Sequence, residues 1–228
     1  MTVASKWGYA YTAGWRVDAE RHEVKDLSLE NLTVQIAESR AILGDHLELY
    51  QIHSATLESG VLDDRALLDE PARLRETGLR IGLTVTGPRQ RETIEKALAL
   101  GGFDAVQATW NLYERSAAPA LAEADAAGLT VVVKEALANG RLTARGGDSR
   151  LLDAAEKRAA SPDALALSAA LAQPWAHVVL SGAATVPQLE SNLAAQAVDY
   201  DTELDEELAA LTEDREAYWE TRAALSWN

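Results

Sequence analysis

From Leu27 onward, short apolar runs rich in β-branched residues alternate with longer stretches whose apolar positions recur at helical spacing. Runs at residues 2–6, 47–53, 79–85, 103–107, 129–134 and 177–181 read as strands buried on both faces. Helices are predicted over residues 29–43, 65–76, 88–100, 117–127, 151–159, 164–173 and 187–195, with an acidic amphipathic helix from Thr202 onward. Several ends are marked. Ser161-Pro162-Asp163 sets an N-cap before a proline at the first helical position, and Gly78 and Gly128 stand just past helix ends. Thr185 and Gln188 have capping-box spacing, so a helix begins there. The order strand, helix, strand, helix predicts a parallel α/β protein, and the lack of a linker predicts one domain over residues 1–228.

Two parallel architectures compete. A doubly wound sheet calls for a GxGxxG turn after its first strand, and none occurs; Gly101-Gly102 and Gly146-Gly147 do not open a helix after a strand. The other is a β/α barrel, which normally has eight strands in about 250 residues, so six strands predict an incomplete TIM barrel. Functional side chains of such barrels sit at the C-terminal strand ends. Those ends carry Lys6, His53, Thr84, Gln107, Lys134 with Glu135, and Ser181, a strongly polar rim. Alternation along 47–53 places His53 on the face of Leu49 and Gln51. A lysine at a strand end either extends into solvent or, when desolvated, acquires a shifted pKa useful in proton chemistry.

Charge and composition narrow the partners. The net charge of −15, from 21 basic and 36 acidic residues, argues against nucleic acid or an anionic membrane surface. There is no cysteine, which removes disulfides and thiolate chemistry and fits a reducing cytoplasm. No apolar run approaches the roughly 20 residues of a membrane span, and the N-terminus has no secretory-signal pattern. His22, His46, His53 and His177 are scattered without metal-ligand spacing, so no metal is expected. Trp7 and Trp110 follow strand ends and, with Tyr9, are candidates for a substrate pocket, whereas Trp175 and Trp219 read as packing residues.

Four segments resemble successive strand-end motifs of aldo-keto reductases: Ser5-Lys6-Trp7-Gly8-Tyr9, Leu49-Tyr50-Gln51-Ile52-His53-Ser54, Val106 through Leu112, and Leu180-Ser181-Gly182 through Asn192. The resemblance runs from that family's third barrel strand to its C-terminal helices. It implies a (β/α)8 architecture, NADP or NAD as cofactor, and reduction of an aldehyde or ketone by hydride transfer. Lys6 and His53 then match the family's active-site lysine and histidine. Thr84 and Gln107 match residues that hold the nicotinamide carboxamide, and Gly182, Thr185, Gln188 and Asn192 match the loop and helix start at the adenosine end, where free backbone N–H groups attract phosphate. Lys134, with Glu135 beside it, takes the place of an aromatic ring that stacks on nicotinamide.

The departures shape the expectations. The family's tyrosine acid and its aspartate lie in units that precede this chain's match, so the chain is expected to be truncated or to be completed by another copy covering its open strand edges. Tyr9 or Tyr11 is a candidate substitute donor. The loop from Gly182 to Gln188 carries no arginine or lysine for a 2′-phosphate. Two other functions remain open: a remnant that binds nucleotide or a partner without turnover, and a lyase using Lys6 or Lys134 as a Schiff-base nucleophile.

Overall fold

The computed structural model describes residues 2–14, 16 and 18–225. The chain forms two compact units, Met1–Val106 and Gln107–Asn228. The first holds β1 (Val3–Trp7), β2 (Tyr9–Tyr11), β3 (Glu23–Lys25), α1 (Leu29–Leu43), β4 (Leu47–Ala55), α2 (Arg65–Glu76), β5 (Arg80–Val85), α3 (Gln90–Leu100) and the start of β6 (Ala105–Thr109). The second continues with α4 (Ala118–Ala126), β7 (Thr130–Lys134), α5 (Ser149–Lys157), α6 (Pro162–Leu171), β8 (Val178–Val179), α7 (Val186–Leu193), α8 (Thr202–Leu208) and α9 (Arg215–Ala223). The six-stranded sheet has the order β1-β4-β5-β6-β7-β8, so every strand neighbours its successor as the alternating pattern predicts. A two-stranded ribbon, β2 with β3, stands apart from it.

In the first unit β1, β4 and β5 pair in parallel, with Lys6 beside Gln51 and Gln51 beside Gly82. Gly82 is required: a Cβ there would stand 2.9 Å from the Ala105 carbonyl oxygen. Ser28 and Asp64 cap α1 and α2 by accepting from the N–H groups of Asn31 and Leu67. Near its C-terminal end β4 departs from regular register between Ile52 and Ala55, where Ser54 has φ 56°. That irregularity aims the residues on either side of Ser54.

The second unit buries α6 almost wholly through its alanines and leucines, residues 164–170. Two boundaries differ from those expected. The last strand spans two residues rather than five; the Leu180 N–H still donates to the Val133 carbonyl, and Gly182, at φ 63°, then turns the chain. The tail helix is two helices. The chain breaks at Thr212, the Glu213 N–H donates to the Tyr113 carbonyl, and Asp214 caps a new start at α9. The ribbon was not legible in the sequence, since two three-residue strands are too short to show a period.

Candidate functional site

In the first unit the ribbon and the C-terminal end of β4 meet. The rings of Tyr9 and His53 pack edge to face, centroids 4.8 Å apart. Tyr9 pairs directly across the ribbon with Lys25, which puts their side chains on one face. The Lys25 ammonium donates to the Ser54 carbonyl oxygen at 2.6 Å. Ser54 in turn donates its N–H to the Thr84 hydroxyl at 2.7 Å, so Thr84 supports the bent end of β4. Loss of hydration lowers the Lys25 pKa, with Glu58 acting against that shift. The ribbon's root is held by one amide: Gln35 accepts from the Gly8 N–H and donates to the Tyr9 carbonyl. Gly8 itself has φ 122°, and a Cβ there would lie 2.6 Å from Leu27.

Lys6 sits elsewhere. It lines a groove of about 260 Å³ with Ser5 and with Gln35, Glu38, Ser39, Ile42 and Leu43 of α1. Burial holds its pKa below the ordinary lysine value, and its ammonium has no hydrogen-bond or ion-pair partner among the described residues. Its strand neighbour Gln51 is buried, and its Oε1 has no partner among the described residues. Trp7 is buried, 2% exposed, and is a core residue of this unit.

In the second unit a pocket of about 690 Å³ opens where β7, β8 and the start of α7 end. Lys134, Glu135, Gly182, Gln188 and Asn192 all line it, together with Arg145 and Asp163, which the sequence reading passed over. Gln107 and Trp110 are buried, with the Trp110 ring edge-on to Trp175 and the Arg115 guanidinium over its face. Trp175 and Trp219 are buried as well.

The electrostatics at the end of β7 are closed. Glu135, at φ 55°, receives Arg222 at 2.8 Å and the Thr109 hydroxyl at 3.3 Å, and lies 3.8 Å from Lys134. Burial pushes its carboxyl up, but Lys134, Arg222 and Thr109 together hold it below the usual glutamate range. Asn111, fully buried, ties this region together: its amide donates to the Glu135 carbonyl and the Tyr218 hydroxyl, and its oxygen accepts from the N–H groups of Tyr113 and Glu114. Asn111 lies inside the motif that carried the family resemblance, but its partner Tyr218 is 107 residues away in sequence.

The expected capping box forms at the start of α7. Gln188 Oε1 accepts from the N–H groups of both Ala184 and Thr185, and Thr185 accepts from the Gln188 N–H, so the capping box itself occupies these donors. Asn192 donates to the Ser181 carbonyl and Ser191 to Asp163. The pocket's available cation is therefore Arg145, whose guanidinium has no side-chain partner among the described residues and lies against Gly140. Residues 138–140 all have left-handed φ, of 46°, 55° and 89°. A non-glycine pair in this conformation is backbone strain held by its surroundings. The next residue, Arg141, is paired with Glu213 and stacked over Tyr113.

Among the described residues no group of three histidines, cysteines or carboxylates could hold a metal ion, and no helix is long and apolar enough to cross a membrane. The model of the aldo/keto reductase family matches residues 1–213. No curated protein matches the chain. Among solved structures, the holo form of aldo-keto reductase AKR11C1 from Bacillus halodurans is similar at a TM-score of 0.73 and 20% identity, over 94% of this chain and 74% of that one. Its apo form is similar at 0.66 and 21%, over 82% and 70%. The glycerol dehydrogenase AKR11B4 from Gluconobacter oxydans is similar at 0.70 and 19%, over 92% of this chain and 71% of that one. The fold is accordingly α/β of the partial TIM-barrel kind, six parallel strands with their helices.

Proposed function

The chain belongs to the aldo-keto reductase family, and on that premise we propose that it is an oxidoreductase that interconverts an aldehyde or ketone and its alcohol with a nicotinamide cofactor. The observation that carries this reading is the pocket of about 690 Å³ at the ends of β7 and β8. Its size is that of a small-molecule site, and it combines a turn glycine, two amide side chains and a guanidinium that has no side-chain partner among the described residues. That set fits a phosphate-bearing dinucleotide. Gly182 lets the chain turn at the pocket wall, Gln188 and Asn192 offer amides, and Arg145 supplies the charge-assisted contact that the start of α7 does not. A reduced nicotinamide, when bound, supplies a hydride to the carbonyl carbon.

The chain's own residues do the rest. Lys134 and Glu135 are held beside each other and by Arg222, so the end of β7 presents a fixed dipole rather than a mobile charge. His53, fixed against Tyr9, is the group that orients the carbonyl. The substrate is a small carbonyl compound, and NADP is the cofactor favoured by Arg145, because a guanidinium grips a phosphate dianion more strongly than a ribose hydroxyl.

A second reading, nucleotide binding without turnover, is favoured by one observation: Lys6 lines a groove with α1 and its ammonium has no hydrogen-bond or ion-pair partner among the described residues. Titration of the full chain with NADPH and NADH, read by cofactor fluorescence, followed by absorbance at 340 nm on adding aldehydes and ketones, separates the two. Saturable binding with consumption of the reduced cofactor supports the reductase. Binding without consumption supports the second reading, and failure to bind either cofactor overturns both.

A further inference from the structure

A groove of about 640 Å³ runs along α2 within the first unit. The helix turns Arg65, Leu68, Asp69, Ala72, Arg75 and Glu76 into it. Counted from Arg65 these stand at i, i+3, i+4, i+7, i+10 and i+11, which lays them in one stripe over about 16 Å of helix. The opposite wall is the end of α3 and the turn after it. Leu100 there is 49% exposed, and Gly101 and Gly102, at φ 72° and 82°, carry no side chain; a Cβ on either would meet nothing within 4 Å. That wall is open, with the buried Ile81 and Phe103 beneath it. Arg75 is held inside the unit: its guanidinium donates to Asp104 at 2.7 Å, and Asp104 accepts from the Ile81 N–H. Arg65 and Glu76, at the two ends of the stripe, are both exposed, and neither makes an ion pair among the described residues.

We propose that this stripe is the contact of a homodimer, in which α2 of a second copy of the chain lies antiparallel against α2 about a twofold axis between Glu70 and Pro71. The charges select both the occupant and the register. An axis at that point sets Arg65 against the partner's Glu76 and, by symmetry, Glu76 against the partner's Arg65, so one sequence supplies both halves of two ion pairs. Ala72, small and exposed, lies beside the axis and lets the two helices approach closely. Leu68 of each copy is carried toward the partner's Leu100 and the partner's Phe103, which takes apolar surface out of water. Arg75 adds no competing charge, because Asp104 already neutralises it. Asp69 is the one charge in the stripe without a match, since it comes near the partner's Asp69 beside the axis. A contact built on one helix pair stands at the small end of specific interfaces, so the dimer exchanges with monomer at micromolar concentration.

Sedimentation velocity of the full chain tests this, with wild type expected to pass from monomer to dimer between about 2 and 200 µM. Arg65→Glu and Glu76→Arg each turn both ion pairs into like-charge contacts and should raise the dissociation constant about a hundredfold. An equimolar mixture of the two variants should dimerise as wild type does. In that mixed pair one end meets as in the native chain and the other meets with both charges exchanged. The double variant Arg65→Glu/Glu76→Arg should be restored in the same way, and Asp69→Asn should tighten the dimer about threefold. Neither reversal acts by melting α2, because an acid in its first turn and a base in its last both suit the helix dipole, and circular dichroism verifies the fold. A wild-type chain still monomeric at about 200 µM overturns the proposal and leaves the groove to another occupant. A dimer that neither reversal weakens uses a different face and overturns it equally. Reversals that weaken the dimer but are not rescued by mixing overturn the antiparallel register.

Discussion

The polar ends of the strands are treated in opposite ways in the two units. In the second, nearly every polar group at the end of β7 is taken: Glu135 by Arg222, Thr109 and Lys134, the Asn111 amide by four groups, and the backbone of α7 by its own capping box. In the first, the Lys6 ammonium, the Gln51 Oε1 and the Tyr9 hydroxyl have no partner among the described residues. Saturated networks fix geometry, whereas unsatisfied donors and acceptors await a ligand. Among the described residues, the polar groups at the end of β7 in the second unit therefore satisfy one another, whereas the first unit keeps several of its polar groups unpaired.

The sharpest way to break this contrast is Asn111→Leu. It keeps the volume but strands two N–H donors, a carbonyl and a phenol in the interior, and should destabilise by about 4 kcal/mol in urea titration followed by tryptophan fluorescence. A loss below about 1 kcal/mol would show that this network is ornamental rather than structural. Glu135→Gln comes next, at about 2 kcal/mol, because it removes a buried counter-charge beside Lys134 and Arg222. The pH dependence has a definite sign. The folded-state pKa of Glu135 is depressed, so its contribution is present above the unfolded value of about 4.3 and is lost as pH falls through the lower, folded value. Acid titration of wild type and Glu135→Gln should converge there.

Gly8→Ala should cost about 1 to 2 kcal/mol, since alanine is strained at φ 122° and its Cβ meets Leu27. The Tyr9–His53 contact should loosen with it, visible as a changed ring-current shift of the His53 C2–H. Arg145→Leu should leave stability within about 0.5 kcal/mol while weakening NADPH binding about tenfold, and NADH binding less. Equal losses for the two cofactors would place the guanidinium on a phosphate they share. The smallest effect is expected at Lys6→Met. The folded-state pKa of Lys6 is lowered by burial without a compensating partner, so the wild-type chain gains stability as pH rises through that value toward the unfolded one, and the methionine variant loses this rise. Differential scanning calorimetry between pH 7 and pH 10 reads it.

The alternation of short β-branched runs with helical-period stretches determined the architecture, and it did so because burial is local arithmetic. Residues 29–43 and 65–76 fold into the helices that their spacing and their Ser28 and Asp64 caps dictate. The strand positions follow within one or two residues except at β8, where pairing with a single neighbour and a left-handed glycine cut the strand short. The motif carrying Gly182, Gln188 and Asn192 was equally legible, and these residues line one pocket with Lys134 and Glu135. What tertiary structure alone decided is who partners whom. Nothing near Asn111 in sequence announces Tyr218, and nothing near Gly182 announces Arg145. Lys6 and Lys25 both stand at or near the ends of short strands, yet one lines a groove with α1 while the other donates to the Ser54 carbonyl. Hydrophobic periodicity is a property of neighbouring residues and survives in the sequence, whereas hydrogen-bond and charge partners are chosen across distances that only the folded chain closes.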